Sequence, residues 1–310
     1  MKKLFITIAA IALGAGAAFA QDLASLTELY NNGAMKLNDG DKVAALATFK
    51  QALTQAEALG EEGAEIVTNC KNVIPDIQFS IAKELVNNTK YDEAVAALKE
   101  TVAIAEKLGD ANVGESAKDL IPQVIFQKAN QLREDKDFAA AAAAFKEVLA
   151  LDAANGNAAL LLGTCLNSTG DKDGAIAAFE QAAANGKEEL ANKQLGNLYL
   201  KEAANDLKAK NYNDAIANAL KVNDYGENAK AYQVAGQAAQ SAGKNAAAIE
   251  YFEKYLELSP KAANAASIAF TVGALYQKAG NNAKAKEFYK KVVSDPKLGT
   301  QAQQLLNALK

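Results

Sequence analysis

The sequence predicts an all-α fold, a right-handed solenoid of about seven helical hairpins with a short capping helix at the carboxyl end. One segment, LLLGTCLNSTGDKDGAIAAFEQAA (residues 160–183), has apolar residues at the three- and four-residue spacing of two buried helical stripes, joined by a tight turn. Versions of this hairpin recur along the chain. No stretch shows the alternation typical of a strand, so every element is expected to be helical.

The recurring pattern is an alanine, then an aromatic or other apolar residue four positions on, and in most copies a small residue three further on. The residue twelve positions before each alanine is glycine or alanine, which lets two helices approach closely. In four copies the residue five positions before the alanine is glycine, as expected for a turn. The lead alanines are Ala45, Ala94, Ala141, Ala175, Ala215, Ala248 and Ala285.

This pattern resembles the tetratricopeptide repeat (TPR), a helix-turn-helix unit of about 34 residues. The spacing is 34 residues from Ala141 to Ala175 and 33 from Ala215 to Ala248. No hairpin has the family's early tryptophan, and the hairpin of Ala215 lacks the aromatic residue. The resemblance covers nearly all of the mature chain and implies that the first helices of the hairpins line a concave groove.

In the first part of the array, residues 21–115, the repeats are longer than average. The first hairpin is expected at about residues 23–59, and in the first two repeats the second helix is prolonged to a Leu-Gly stop, at Leu59-Gly60 and Leu108-Gly109. Pro75 and Pro122 follow these stops; each either begins a helix or bends a long one.

Residues 116–310 contain repeats with a shorter spacing and the C-terminal capping helix. The segment Gln194–Tyr199 looks like the start of a first helix placed two turns early, so this helix is expected to be longer than the others. Residues 301–309 are predicted to form the helix that covers the last hairpin. No linker interrupts residues 21–310, which predicts one domain, with a possible change of curvature near residues 109–116.

Residues 1–20 have the features of a secretory signal peptide: Lys2 and Lys3, an apolar run, and Ala18-Phe19-Ala20 as a small-x-small cleavage site. A membrane anchor is the weaker interpretation, because the run is short and contains two glycines. We therefore expect a periplasmic or secreted protein that is soluble after cleavage and has no membrane insertion of the mature chain.

The composition argues against several classes of function. Without Lys2 and Lys3 the chain has six more acidic than basic residues, which disfavours nucleic acid as a partner. The absence of histidine and the presence of only two cysteines predict no metal site, no cofactor and no enzymatic activity. Cys70 and Cys165 lie two repeats apart, farther than a disulfide spans, so both are expected to be free thiols.

The TPR resemblance implies a binding face on each first helix. Its positions lie six and three residues before the small residue of the repeat, and one, four and five residues after it. This face would offer amides and hydroxyls to a peptide backbone. Three residues before the small residue, several repeats have an aromatic residue. Its side chain either faces the groove or fills the seam between repeats. The predicted partner-binding residues are Tyr30, Phe126, Asn130, Asn157, Thr164, Asn167, Lys230, Gln233, Gln237, Gln240 and Phe270.

The sequence favours an exported TPR scaffold or adaptor that binds a protein or peptide in this groove. The TPR proteins that clamp a C-terminal carboxylate have a lysine three residues before the small residue of the repeat. This sequence has no lysine at that position. The alternative is a structural or assembly component of an envelope complex that acts by self-association through its edges or end repeats. A solute-binding protein for glycans or peptides ranks third, and the oligomeric state stays open.

Overall fold

The computed structural model describes the backbone of residues 17–309 and the side chains of residues 22–309. Most of the predicted signal peptide, residues 1–16, lies outside the described residues. The described chain consists of helices joined by short turns and contains no strand, which confirms the all-α class. It divides into two compact units; unit 1 ends at Asp171 and unit 2 begins at Lys172.

Unit 1 contains three complete helical hairpins and a further first helix. We call the odd-numbered helices α1 to α13 first helices and the even-numbered ones second helices. Within residues 17–171 the α-helices are α1 (Ala17–Asn38), α2 (Lys42–Ala58), α3 (Ala64–Asn87), α4 (Tyr91–Leu108), α5 (Ala111–Glu134), α6 (Phe138–Leu151) and α7 (Gly156–Thr169).

Unit 2 begins with a second helix, continues with three complete hairpins and ends with a terminal helix. Within residues 172–309 the α-helices are α8 (Lys172–Ala182), α9 (Glu188–Ala209), α10 (Tyr212–Lys221), α11 (Ala229–Ser241), α12 (Asn245–Leu258), α13 (Ala265–Lys278), α14 (Asn282–Lys290) and α15 (Gly299–Ala308).

Each first helix from α1 to α13 ends in the same turn. A residue in the left-handed conformation follows the helix, and the next N–H donates to the carbonyl five residues back at 2.9 Å. This is the 6→1 hydrogen bond of a Schellman motif, which satisfies a carbonyl that the helix leaves unpaired. The left-handed residues are Gly40, Thr89, Lys136, Gly170, Lys210, Gly243 and Gly280.

Three of these turns have no glycine. Thr89, Lys136 and Lys210 have φ of 58°, 64° and 64°, a conformation that costs a side-chain-bearing residue about 1 kcal/mol or more. The turn nevertheless forms, because the helices on both sides are buried and fix its geometry. In several repeats the residue after the left-handed one caps the second helix; Asp41 and Asp137, for example, accept from the backbone N–H of Ala44 and Ala140.

The pairing of a small residue with a ring sets how closely the two helices of a hairpin approach. A Cβ added to Gly236 would lie 2.5 Å from two ring carbons of Phe252, and one added to Gly33 would lie 3.1 Å from the ring of Phe49. Both rings are almost fully buried. The sequence interpretation that small residues permit close helix contact is therefore confirmed.

The longer repeats of unit 1 come from long first helices as well as long second helices. Both α3 and α5 have 24 residues. Pro75 and Pro122 lie inside these helices, so neither of them begins a helix. The Leu-Gly stops are also present: Gly109 ends α4 in the left-handed conformation, and Gly60 follows α2 with φ of 61°.

Two further predictions for the C-terminal half are confirmed. Helix α9 has 22 residues and includes both Gln194–Tyr199 and the small residue Ala203, so this first helix is lengthened at its start. Helix α15 covers the last hairpin, since Ala302 and Leu309 join the buried cluster that contains Tyr289.

Cys70 and Cys165, both in unit 1, are free thiols with no exposed surface. Burial raises the pKa of the Cys70 thiol to about 12. Both cysteines therefore serve as small apolar side chains of the packed interior. Within residues 17–309 no helix is both long and apolar enough to cross a membrane.

Two glycine substitutions in unit 2 test the close packing. Gly236→Ala places a methyl group against the buried Phe252 ring, and we expect it to lower the free energy of unfolding by about 1–3 kcal/mol. Gly196→Ala in α9 is the control, because its Cβ would lie 3.8 Å from Val222 in ordinary contact. Helix propensity should make this variant more stable by up to about 1 kcal/mol. Urea unfolding followed by circular dichroism compares them; equal stability of the two variants would contradict the packing argument.

Candidate partner-binding faces

The predicted partner-binding residues lie on first helices of both units. Those from Tyr30 to Asn167 belong to α1, α5 and α7 of unit 1, and those from Lys230 to Phe270 belong to α11 and α13 of unit 2. We call the two sets the unit 1 face and the unit 2 face. Each is described separately below.

The aromatic residues of these faces pack within their own hairpins. The ring of Phe126 contacts that of Phe145 edge-on at 5.5 Å between centroids, and Phe270 contacts Tyr289 at 5.4 Å. Phe126 and Phe270 are half-buried, so each still has an edge that faces solvent. The contact is thus with the second helix of the same hairpin, an arrangement that the sequence alternatives did not include.

Tyr30 is a correction to the predicted set. Its side chain is 1% exposed and packs edge-on against Phe49 at 5.2 Å, so no partner can reach it. The Tyr30 hydroxyl is also buried and has no hydrogen-bond partner within the described residues. Burial, with a smaller contribution from the nearby Cys70, raises the pKa of Tyr30 to about 12. Tyr30 is a core residue of the first hairpin.

The polar residues of the unit 1 face differ in their availability. Asn157 and Asn167 are exposed and Asn130 is half-buried, and none of their side-chain amides makes a hydrogen bond within the described residues. Thr164 is different, because its hydroxyl donates to the Leu160 carbonyl of its own helix at 3.0 Å. The amides of this face are therefore free to bind a partner, whereas the threonine hydroxyl can only accept from one.

On the unit 2 face one predicted residue is again buried. Gln233 is 9% exposed and accepts a hydrogen bond from Lys230 Nζ at 2.9 Å. The prediction that Gln233 is an accessible partner-binding residue, on one stripe of α11 with Gln237 and Gln240, is therefore wrong. Gln237 is half-buried and Gln240 is exposed, so these two glutamines form the accessible part of the stripe.

Arg133 belongs to the unit 1 face, although the sequence interpretation did not select it. It lies four residues after the small residue Ala129, the same position that Asn167 has after Gly163. Its Nε is buried and has no hydrogen-bond partner within the described residues, and its nearest carboxylate oxygen, on Glu134, is 3.7 Å away. The sequence contained the information needed to select Arg133, because it is the only arginine of the chain and occupies a predicted face position.

Unit 2 also has a concavity between α12, α13 and α14. It has a volume of about 710 Å³ and a floor of alanines from α13, together with Leu256 and Phe288. Several of the charged groups at its rim are already paired, since Lys284 and Lys291 both contact Glu287. This concavity offers few unpaired groups to a ligand.

The described residues contain no group of three or more cysteine, aspartate or glutamate side chains that could hold a metal ion. Among their carboxylates, Asp76 has a pKa raised by burial and by the neighbouring Asp110. Asp76 is exposed on α3 and does not lie in an enclosed cavity. The side chains of the two faces offer amides, a hydroxyl, aromatic rings and the positive charges of Lys230 and Arg133.

Family models identify the repeats. Residues 132–195 match a tetratricopeptide repeat model, and residues 229–261 and 266–294 match another model of the same repeat. Tetratricopeptide repeats are therefore present in the chain, as the sequence pattern indicated. No curated protein sequence matches the chain.

Three solved structures that are similar to this chain are the following. MamA is 20% identical over 59% of this chain and 96% of its own, with a TM-score of 0.36. YrrB, a TPR protein with an unusual peptide-binding site, is 21% identical over 62% of this chain and 95% of its own, with a TM-score of 0.34. The pilF protein of Pseudomonas aeruginosa is 18% identical over 61% of this chain and 86% of its own, with a TM-score of 0.32. At this level of identity the similarity concerns the fold alone.

Substitution of Tyr30 distinguishes a core residue from a binding residue. Tyr30→Phe removes an unpaired buried hydroxyl, and we expect it to raise the free energy of unfolding by about 1 kcal/mol. The gain should grow above about pH 10, where the unfolded tyrosine ionises while the folded one, with a pKa of about 12, stays protonated. Melting temperatures at pH 7 and at about pH 10.5 measure both effects. A loss of stability at pH 7 would show that the hydroxyl has a partner.

Proposed function

We propose that this protein, whose repeats are tetratricopeptide repeats, is an exported scaffold that binds a segment of a partner protein along its first helices. The observation that carries the proposal is a set of side-chain amides on these helices that have no hydrogen-bond partner within the described residues. In unit 1 they belong to Asn130, Asn157 and Asn167, and in unit 2 to Gln237 and Gln240.

Amide side chains suit a peptide backbone because each has both a donor and an acceptor. A peptide that lies across α5 and α7 in unit 1, or across α11 and α13 in unit 2, would meet such amides and the exposed edge of a half-buried ring. Phe126 in unit 1 and Phe270 in unit 2 would supply the apolar contact. This combination binds backbone and apolar side chains with limited sequence discrimination.

We infer that the protein acts without catalysis. The chain has no histidine, which is the commonest general base, and its two cysteines are buried with raised pKa values, so no reactive thiol is on the surface. Binding through the first helices would let the scaffold bring a partner segment to other proteins of the same compartment.

Substitution of the accessible glutamines tests the unit 2 face. We expect Gln237→Ala/Gln240→Ala to abolish capture of a partner while changing stability by no more than about 0.5 kcal/mol, since both side chains reach solvent. The matched control is Gln301→Ala/Gln304→Ala, which changes two exposed glutamines of the terminal helix α15 at the same spacing. The partner would first be identified by crosslinking from position 240 in cells, then purified and its affinity measured by calorimetry.

Self-association is the second candidate, because the first hairpin exposes large apolar side chains: Met35 is 62% and Val43 is 68% exposed. In this case the glutamine variant would capture its partner normally. Oligomer formation would instead depend on Met35 and Val43, or on Leu305 and Leu306 of the terminal helix. Capture that survives the glutamine changes and also the loss of Asn130, Thr164 and Asn167 would reject the first helices as the binding surface.

Export is part of the proposal and rests on the composition of residues 1–20. Cleavage after Ala20 would remove the first four residues of α1 as the structure describes it. The apolar contacts described for this helix involve Leu26, Leu29, Tyr30 and residues beyond them, which cleavage would leave in place. The mature amino terminus should therefore be Gln21. The intact mass of the protein from its native host decides this, and a species that retains Met1 or carries a lipid would contradict it.

A further inference from the structure

Arg133 is a charged side chain whose hydrogen-bond donors have no partner within the described residues. A guanidinium has five N–H donors, and none of those of Arg133 makes a hydrogen bond within the described residues. Its contact with Glu134 is 3.7 Å long and involves a carboxylate that is 72% exposed, so this ion pair is weak. The Nε atom is buried as well, where an unpaired donor is unfavourable.

The position of Arg133 places it beside the proposed binding residues. It is in the last turn of α5, three residues after Asn130, and occupies the face position that Asn167 has on α7. The charge of Arg133 also lowers the pKa of the buried Cys165 thiol of α7, against the larger effect of burial. The charge of the guanidinium therefore acts on α7 as well as on its own helix.

The charge is specific to this repeat. At the equivalent position the two preceding first helices have Leu37 and Val86, both apolar. The nearest lysine of α5 on the amino-terminal side, Lys128, already pairs with Asp92 of α4. The structure describes α5 and α7 in full. Within these two helices, Arg133 is the one positively charged residue that occupies a position of the unit 1 face and has unsatisfied hydrogen-bond donors.

We propose that the unit 1 face binds an internal aspartate or glutamate of the partner segment, with its carboxylate against the guanidinium of Arg133. This inference rests on the proposed function and names the chemistry of the partner. The planar fork of arginine matches the two oxygens of a carboxylate, and the new hydrogen bonds would satisfy the buried Nε. Asn130 and Asn167 would bind the backbone on either side of the acidic residue.

The charge balance favours a carboxylate over a phosphorylated side chain. A carboxylate brings one negative charge to one guanidinium, whereas a phosphate brings up to two and would lie close to Glu134. The interaction does not need a free carboxyl terminus, because the apolar and amide contacts continue along the face on both sides of Arg133.

The sole arginine gives a direct readout, since its Nε–H is the only arginine side-chain resonance in a ¹⁵N-correlated NMR spectrum. The probes are two acetylated and C-terminally amidated heptapeptides, Ala-Ser-Ala-Glu-Ala-Ser-Ala and the same peptide with glutamine in place of glutamate. We expect a saturable shift of the Nε–H resonance with the glutamate peptide and at least about tenfold weaker binding of the glutamine peptide.

Variants identify the group responsible. Arg133→Met should weaken binding of the glutamate peptide to the level of the glutamine peptide, and Arg133→Lys should restore part of the difference. Lys118→Met is the matched control, because it removes one exposed positive charge from the same helix about four turns away and should leave the affinity unchanged.

The outcomes separate this inference from the proposed function. Equal binding of both peptides, or an equal response to sodium acetate at the same concentration, would overturn recognition of an acidic segment. If both peptides shift the backbone resonances of Asn130 and Asn167 equally, the face binds peptides and only the acidic preference fails. If neither peptide shifts any resonance of α5 or α7 at millimolar concentration, both the inference and peptide binding by unit 1 are rejected.

Discussion

Within both units, the close approach of the two helices of a hairpin is the constraint on which the rest of the structure depends. Where the small residue is glycine, the facing ring lies where a Cβ would otherwise be, at 2.5 Å for Gly236 and Phe252. In the hairpins that have an aromatic ring, the ring then fills the space that the short distance leaves. The lead alanine of every repeat is fully buried. A chain that is rich in alanine can bury a continuous core only if its helices are this close.

This packing also determines which side chains can bind a partner. A large residue three positions before the small one is drawn against the ring of the second helix, as Tyr30 is by Phe49. Such a residue is either buried, like Tyr30, or half-buried, like Phe126. Positions that point away from the second helix, such as those of Asn167 and Gln240, keep their amides in solvent. The candidate binding face is therefore the part of each first helix that hairpin packing does not use.

The turns show how tertiary structure overrides local preference. Thr89, Lys136 and Lys210 take the conformation that glycine takes in the other repeats, and the same 2.9 Å hydrogen bond closes all of these turns. Each such residue is conformationally unfavourable by about 1 kcal/mol or more, which is small beside the apolar contacts that hold the two helices together. The fold thus tolerates non-glycine residues here at a modest loss of stability.

The sequence by itself determined the repeat architecture. Periodicity identified the first helices and their buried faces. The small residue twelve positions before each lead alanine and the aromatic residue four positions after it identified the contact between small residue and ring, and the Leu-Gly pairs located the ends of α2 and α4. It also selected the exposed amides, because helical spacing predicts which side of a helix a residue occupies. These features depend on a residue's neighbours within one helix or one hairpin.

Only the tertiary structure decided how far individual side chains are buried and which of them have partners. Gln233 is on the predicted face but becomes buried and accepts a hydrogen bond from Lys230, and Pro75 lies inside a continuous helix. The unpaired Nε of Arg133 could not be read from the sequence either, because the absence of a partner among the described residues depends on every side chain that packs around it. Burial and hydrogen bonding are set by residues from several helices, whereas periodicity reports on one helix at a time.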